Sequence, residues 1–374
     1  MSPNTAREHI PSLDGIRACA VLMVIVFHEL NGTSVHGSLQ TAIARLAYLG
    51  HTGVDLFFVL SGFLITGILL RTRGSDKFLT NFYIRRFLRI FPLYYAFLIF
   101  DYSVGRDSTG SRWPYWIYLQ NVWSTFNVPV SGPGHFWSLA VEEHFYLIWP
   151  LLVMRFEGRK LKATLWIIIS FAALVRIALI AAGYEPIQFT FARMDALAIG
   201  AMIAVYSSER PLIHLRRPVL TALAIGIPVA MVMFLTLHGE KNFVAQIIRY
   251  PLVASIYGLL IILATSASPS NLAVRALSMR LPCSIGKYSY AMYVFHVTVA
   301  HFVSRLGIAI WLQLATVIVL TYAVGWLSWQ VLEGPFNSLK GRFEYKASQN
   351  GKPIGCHATV QLLSMTERES PVSE

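Results

Sequence analysis

Apolar segments follow one another along the whole chain and are separated by short polar stretches. An α-helix that crosses the hydrocarbon core of a bilayer needs about 20 such residues. The pattern therefore predicts an all-α, polytopic membrane helix bundle. About ten transmembrane helices are expected, at residues 11–30, 54–70, 88–102, 136–154, 164–182, 188–206, 218–237, 244–264, 286–303 and 310–332. Several of these segments are short or polar at one end, which predicts tilt or partial immersion.

Composition agrees with the membrane class. The chain is 55% hydrophobic and 13% charged, with a mean hydropathy of +0.54, whereas soluble domains are about 25% charged. We interpret residues 1–340 as the transmembrane domain and the polar residues 341–374 as a disordered cytoplasmic tail. The first apolar segment lacks the small-residue cleavage pattern of a signal peptide, so we expect it to be retained.

The distribution of positive charge predicts the orientation. Most of the 31 Lys and Arg residues fall in the tail, at the N-terminus and in alternate loops, so both termini are expected to be cytoplasmic. The net charge of +12 mostly reflects the Lys and Arg residues of these expected cytoplasmic segments. Nucleic acid is not an expected partner, because the basic residues are spread over short segments rather than gathered on one face. A bacterial inner membrane is the expected location.

The cysteines carry no recognisable chemistry. Cys19, Cys283 and Cys356 have neither the paired spacing of a disulfide framework nor that of a zinc site. We therefore predict no metal site.

Two ionisable residues mark one face of the first predicted span. Arg17 and His28 are separated by a helical rise of about 16 Å and a phase difference of about 20°. His28 is a candidate general base, since histidine titrates in the working pH range, and Arg17 is a candidate partner for anionic groups of a donor. The alternative is a packing histidine and an interfacial arginine that sets orientation.

The third predicted span begins with arginines on one face. Arg86 and Arg89 are i, i+3 neighbours, and guanidinium forks suit phosphate oxygens. Ordinary positive-inside charge explains the same residues without a ligand.

The fourth predicted span carries Ser138, Glu142 and Tyr146 at i, i+4 and i+8, so they share a face. Glu142 is expected in the outer half of the membrane, paired with His28 or with an acceptor hydroxyl. The alternative is an interfacial acid beside an aromatic belt.

Further polar residues inside predicted spans are candidates for lining an acceptor site or channel. Asp55 either orients a base or caps the helix that follows it. Arg193 and Asp195 either line the site or take part in a structural ion pair that fixes helix register. Tyr293 and His296 share a face and either line the site or belong to the packed core.

Five sequence blocks, in order, carry a resemblance to one family. The blocks are residues 13–17 with His28, 53–65, 82–92, 136–150, and 286–290 with His296. They resemble acyltransferase family 3, whose bacterial membrane proteins acylate O-antigens, exopolysaccharides, Nod factors and macrolides. The resemblance covers about residues 11 to 337 and is strong because all five blocks occur in sequence.

The resemblance implies an O-acyltransferase that moves an acyl group, usually acetyl, from acyl-CoA to a hydroxyl of a carbohydrate or glycolipid. Acyl-CoA would be a co-substrate, with no resident cofactor. On this view His28 and Glu142 are catalytic, and Arg17, Arg86 and Arg89 hold the donor. Direct transfer and an acyl-histidine intermediate both remain open.

A transporter or flippase of a lipid-linked or acylated sugar is the competing class. It would also need charge at the midplane, together with broken helices in related spans. Gly226 and Pro228 are expected to interrupt one span, but no matching interruption is visible elsewhere.

Overall fold

The protein is described by a computed structural model that covers residues 10–31, 43, 46–104, 109–236 and 243–345. The described residues are helical and contain no strand. The long helices are α1 (Pro11–Leu30), α2 (Gly53–Thr72), α3 (Phe78–Ser103), α4 (Trp137–Arg155), α5 (Gly158–Ala181), α6 (Thr190–Glu209), α7 (Arg216–Thr236), α8 (Phe243–Ser266), α9 (Arg280–Ser304) and α10 (Ile310–Ser328).

Each predicted span coincides with one of these helices, which confirms the all-α fold. Among the described residues, five helical segments are long and apolar enough to cross a membrane: Leu46–Thr72, Gly158–Ala181, Leu212–Phe234, Gln246–Ser266 and Ile310–Arg342. The other long helices carry more polar and ionisable side chains, as α1 does with Asp14, Arg17 and Glu29. The total of ten crossings and the orientation stay predictions.

Two expectations about the chain path have different outcomes. The predicted interruption at Gly226 and Pro228 is wrong, because α7 continues as one helix with Pro228 inside it. Helices in membranes tolerate proline where neighbouring groups satisfy the freed carbonyl. The predicted tail from residue 346 onward lies outside the described residues.

The chain divides into two compact units. Unit 1 comprises Met1–Val54 and Leu260–Trp326, and its main packing is α1 against α9. The backbones approach closely here, because a Cβ on Gly286 would overlap the carbonyl oxygen of Asp14. A Cβ on Gly15 would likewise overlap the carbonyl oxygen of Leu277. Small residues at such contacts are the usual means of packing helices in membranes.

Unit 2 comprises Asp55–Leu259 and Leu327–Glu374. In it α6 packs against both α5 and α4. Helices α2 and α6 meet through reciprocal glycines: a Cβ on Gly62 would overlap the carbonyl oxygen of Leu197, and one on Gly200 that of Val59. The obstructing atoms are backbone, so neither helix can relieve the overlap by rotating a side chain.

We predict that Gly62→Ala destabilises the protein by about 2–3 kcal/mol, because the added methyl forces α2 away from α6. The matched control is Gly226→Ala, where the nearest atom to the new methyl is a side-chain carbon of Ile256 at 3.6 Å. That control should change stability by less than about 1 kcal/mol. Thermal unfolding of the purified proteins in detergent measures both, and equal losses would contradict the prediction.

Candidate active site

The two histidines of unit 1 that the sequence singles out lie side by side. His28 is in the last turn of α1 and His296 is in α9. His28 Nδ1 and His296 Nε2 are 3.3 Å apart, and the ring centroids are 4.8 Å apart with the planes at 66°. We call His28, His296 and Tyr293 the histidine cluster. The sequence placed His296 on the site face but did not predict its contact with His28.

The carbonyl partners of these rings fix their tautomers. His28 Nδ1 lies 2.9 Å from the carbonyl oxygen of Val24, and His296 Nδ1 lies 2.7 Å from that of Tyr293. A carbonyl oxygen can only accept, so each Nδ1 carries the hydrogen of the neutral ring. His296 Nε2 is then an acceptor for His28 Nδ1–H, and the lone pair of His28 lies on Nε2.

Exposure separates the roles of the two rings. His28 is exposed, whereas His296 is 1% exposed. The ring of Phe27 stands edge-on to His28 at 5.0 Å and also meets Tyr48 and His51. The open nitrogen Nε2 of an oriented, neutral imidazole can accept a proton from a substrate hydroxyl.

The other ionisable residues of α1 have partners within unit 1. Arg17 forms an ion pair with Asp14 one turn earlier. The carboxylate of Glu29, which is buried, accepts a hydrogen bond of 3.0 Å from Gln313. Arg17 is only half-buried, so its guanidinium combines an internal partner with access from outside.

In unit 2, a second group of predicted residues comes together around Tyr146. The Tyr146 hydroxyl donates to Glu142 at 3.0 Å and is hydrogen-bonded to Ser61. The guanidinium of Arg86 lies 4.9 Å from the centre of the Tyr146 ring, within the range of a cation–π interaction. We call these four residues the Glu142 cluster. The expected pairing of Glu142 with His28 stays a prediction.

The two arginines predicted to bind the donor differ in their surroundings. Arg86 is half-buried against Tyr146, whereas Arg89 is exposed. Arg89 therefore presents its guanidinium to ligands directly. Arg86 is positioned to support the Glu142 cluster as well as a ligand.

Buried ion pairs join the remaining candidates of unit 2. Arg193 contacts Asp55 at 2.6 Å and Arg176 contacts Asp195 at 2.7 Å. Each of these two residues of α6 therefore pairs with a different helix, Arg193 with α2 and Asp195 with α5, which is the structural role that the sequence offered as the alternative to site lining. The capping alternative for Asp55 is wrong, since α2 already begins at Gly53.

Three further residues of unit 2 complete this group, and sequence reasoning missed them. The ring of Tyr250 lies 4.1 Å from the guanidinium of Arg193. Arg249, beside it, interacts electrostatically with Asp55, as Arg176 does. The sequence signal was an arginine inside a span at 176 and another at the start of one at 249. We call Asp55, Arg176, Arg193, Asp195 and Arg249 the arginine cluster.

Two predicted lining residues each contact a residue three positions away in the chain. The Ser138 hydroxyl donates to the carbonyl of His135 at 3.3 Å, and Ser138 is buried at the start of α4. The Tyr293 ring packs against His296 with centroids 5.5 Å apart. Within the described part of the chain, no group of three or more His, Cys, Asp or Glu side chains is arranged to hold a metal ion.

An oriented, exposed imidazole in a helical membrane protein can act as the general base of a group transferase. Comparison with known families agrees with this class. A family model described as an acyltransferase domain, that of acyltransferase family 3, matches residues 10–330. The chain therefore belongs to this acyltransferase family.

Curated relatives include peptidoglycan-modifying proteins. O-acetyltransferase OatA of Staphylococcus aureus (strain NCTC 8325 / PS 47) is 29% identical over 330 residues, covering 79% of this chain and 51% of the relative. Putative peptidoglycan O-acetyltransferase YrhL of Bacillus subtilis (strain 168) is 28% identical over 363 residues, covering 88% and 55%. The chain thus spans about half the length of these relatives.

A third relative has a higher identity over a shorter stretch. Peptidoglycan O-acetyltransferase OatA of Listeria monocytogenes is 36% identical over 170 residues, which cover 40% of this chain and 25% of the relative. No solved structure matches the chain.

We predict that Asp55→Asn destabilises the protein by about 3–5 kcal/mol, because it leaves the buried guanidinium of Arg193 without its carboxylate. The control is Glu209→Gln, which removes the partner of Lys162 in a more exposed pair and should cost less than about 1 kcal/mol. Thermal unfolding in detergent compares the two variants. Similar stability of Asp55→Asn and the wild type would show that the buried pair contributes little.

Proposed function

We propose that the protein is an O-acyltransferase of the bacterial cytoplasmic membrane. It transfers an acyl group, most simply acetyl, from acyl-CoA to a hydroxyl of a cell-surface carbohydrate. The observation that carries this proposal is the exposed His28 ring, whose Nδ1–H is shared between the Val24 carbonyl and His296 Nε2 and whose Nε2 lone pair is open. Membership of the acyltransferase family supports the same chemistry.

In the proposed reaction His28 Nε2 removes the proton from the acceptor hydroxyl. The hydroxyl oxygen attacks the thioester carbonyl carbon, and a carbon–oxygen bond forms. The carbon–sulfur bond then breaks, and the departing thiolate takes the proton from the imidazolium as free CoA. An acyl-histidine route would replace the first attack by that of Nε2 itself, and the ring geometry serves both routes.

His296 acts in this scheme as a positioning residue. Its Nε2 accepts from His28 Nδ1–H at 3.3 Å, so it favours the productive tautomer and stabilises the imidazolium that forms. An oriented second group behind the base is the arrangement that activates nucleophiles in many transferases and hydrolases.

The acyl-CoA phosphates require cations, and Arg17, Arg86 and Arg89 are the proposed ones. Arg89 is exposed, and Arg17 and Arg86 are half-buried. Guanidinium groups bind phosphate oxygens by charge-assisted, often bidentate hydrogen bonds. Asp55, Ser138, Arg193 and Asp195 in unit 2 remain proposed acceptor-lining residues, as do Tyr293 and His296 in unit 1.

The names of the relatives favour peptidoglycan glycan strands as the acceptor. The acceptors expected from the sequence formed a wider group, which included O-antigens, exopolysaccharides and lipo-oligosaccharides. The transporter alternative loses its main structural support, because α7 is not broken at Gly226 and Pro228.

The deciding experiment measures free CoA release and acyl transfer to glycan fragments by purified protein in nanodiscs. His28→Ala should lower turnover by about 100-fold or more, the usual contribution of a general base. His296→Ala should lower kcat by about 10-fold with little change in KM, and His296→Gln, which keeps an acceptor, should recover part of the loss.

His301→Ala, on the same helix and exposed, is the control and should keep wild-type turnover. Full activity of His28→Ala would overturn the proposed role of this base. Glycolipid binding without any consumption of acyl-CoA would bring the transporter class forward.

Donor binding is tested separately. Arg89→Ala should raise the KM for acyl-CoA by about 10-fold, the loss of one charge-assisted phosphate contact, and Arg86→Ala with Arg89→Ala should raise it further. The KM for the acceptor should stay nearly constant. Arg159→Ala removes an exposed charge at the start of α5 and serves as the control. An equal rise in that control would identify a general effect of basic charge.

A further inference from the structure

The arginine cluster holds more positive than negative charge. Arg176, Arg193 and Arg249 are 1%, 2% and 4% exposed, and the two carboxylates of the cluster, Asp55 and Asp195, are equally buried. Among the described residues, three buried guanidinium groups thus face two buried carboxylates. The nearby Glu185 is exposed and contacts Gln246 at 3.4 Å, so its charge is solvated.

Several nitrogen donors of the same guanidinium groups have no hydrogen-bond acceptor among the described residues. Two nitrogens of each arginine are buried without a hydrogen-bond partner among the described residues, namely Nε and Nη2 of Arg176, Nε and Nη1 of Arg193, and Nε and Nη2 of Arg249. Buried donors without partners are costly, and those of charged groups are the most costly. One carboxylate oxygen of the cluster, Oδ2 of Asp195, also has no hydrogen-bond partner among the described residues. Six such donors against one such acceptor indicate a missing acceptor.

The aromatic rings around Arg193 attract its positive charge but do not neutralise it. The Tyr250 ring lies 4.1 Å from the Arg193 guanidinium, and the rings of Trp137 and Phe58 lie 5.7 and 5.8 Å from it. These rings provide cation–π attraction to Arg193, and the Tyr250 hydroxyl also hydrogen-bonds to Arg249. The six nitrogens named above still have no hydrogen-bond partner among the described residues. Water would satisfy the donors but would leave the excess charge. An anion satisfies both.

Helix geometry adds to the positive potential. Arg193 lies in the first turn of α6, and Asp55 lies in the first turn of α2. The N-terminal end of α6 therefore contributes partial positive charge to this region, whereas α2 continues from the helical turns before it. Arg249 lies in the second turn of α8, and Arg176 lies near the C-terminal end of α5. In the predicted orientation all four of these ends belong to the outer side, opposite the end of α3 that carries Arg86 and Arg89.

We propose that the arginine cluster is a binding site for an oxyanion, a carboxylate or a phosphate, carried by the carbohydrate acceptor. This proposal rests on the proposed function for the identity of the molecule that carries the anion. The guanidinium forks of Arg176, Arg193 and Arg249 supply the charge-assisted hydrogen bonds. Asp55 and Asp195 hold two of the forks in place. Two sources share this chemistry: the carboxylate of an acidic sugar and the diphosphate of a lipid-linked saccharide.

Binding is measured without catalysis, so that it is independent of the acyl transfer reaction. Thermal unfolding of the full chain in nanodiscs is followed while glucuronate or inorganic diphosphate replaces chloride at constant ionic strength, with glucose as the neutral control. A ligand that binds only the folded state stabilises it by RT ln(1 + [L]/Kd), so the unfolding temperature rises with the logarithm of the ligand concentration above Kd. We expect such a concentration-dependent rise with at least one of the two anions and none with glucose. The His28→Ala protein should show the same rise.

Variants locate the site. Arg249→Gln should weaken binding by 10-fold or more, and Arg249→Lys, which keeps the charge but loses the fork, should lie between it and the wild type. Arg217→Gln removes an exposed arginine of α7 and should leave binding unchanged. Glu240 is the nearest other carboxylate to Arg249 in the sequence, and Glu240 lies outside the described residues. Glu240→Gln should also leave binding unchanged.

The outcomes are distinct. A response to glucuronate alone assigns the site to acidic sugars, and a response to diphosphate alone assigns it to lipid-linked saccharides. If neither anion raises the unfolding temperature of the wild-type protein with increasing concentration, the proposal is overturned, whatever the variants show. So would an undiminished response in Arg249→Gln, or tighter anion binding after Glu240→Gln, which would identify an internal counterion. Anion binding by a protein with no acyltransferase activity would leave the site standing and remove the proposed function.

Discussion

The burial of charge is the constraint on which unit 2 depends. A carboxylate or guanidinium group loses a large hydration energy when it enters an apolar interior, and that loss is offset only by a close partner of opposite charge. Asp55 with Arg193 joins α2 to α6, and Asp195 with Arg176 joins α6 to α5. These contacts therefore select which helices lie together at this end of unit 2, in addition to any role towards a ligand.

In unit 1 the main role of the buried hydrogen bonds is to orient the His28 ring rather than to compensate buried charge. The carbonyl of Val24 that receives the His28 Nδ1–H belongs to the same helix, one turn earlier. The useful tautomer is thus set within α1, and His296 reinforces it from α9. A base whose free nitrogen is defined before substrate arrives avoids a reorganisation cost during the reaction.

The sequence predicts the helices well because apolar length is a local property, and each predicted span contains a helix. It also predicts that Ser138, Glu142 and Tyr146 share a face, and the contact of Tyr146 with Glu142 follows from that spacing.

Sequence patterns do not predict contacts whose partners come from distant parts of the chain. Nothing local to Arg193 shows that its carboxylate is at position 55 rather than 195, and nothing local to Arg249 shows that it joins the same cluster. The contact between His28 and His296 depends on the close approach that Gly286 permits, which a single sequence does not show.

The spacing between the buried ion pair and the reciprocal glycines is the same in both helices. Asp55 precedes Gly62 by seven residues in α2, and Arg193 precedes Gly200 by seven in α6. Seven residues are about two helical turns, so each charge lies on the same face as its glycine. Deleting one residue between them would turn the charge by about 100° relative to the glycine. Insertions and deletions should therefore be excluded from these two segments among functional homologues, even where individual side chains vary.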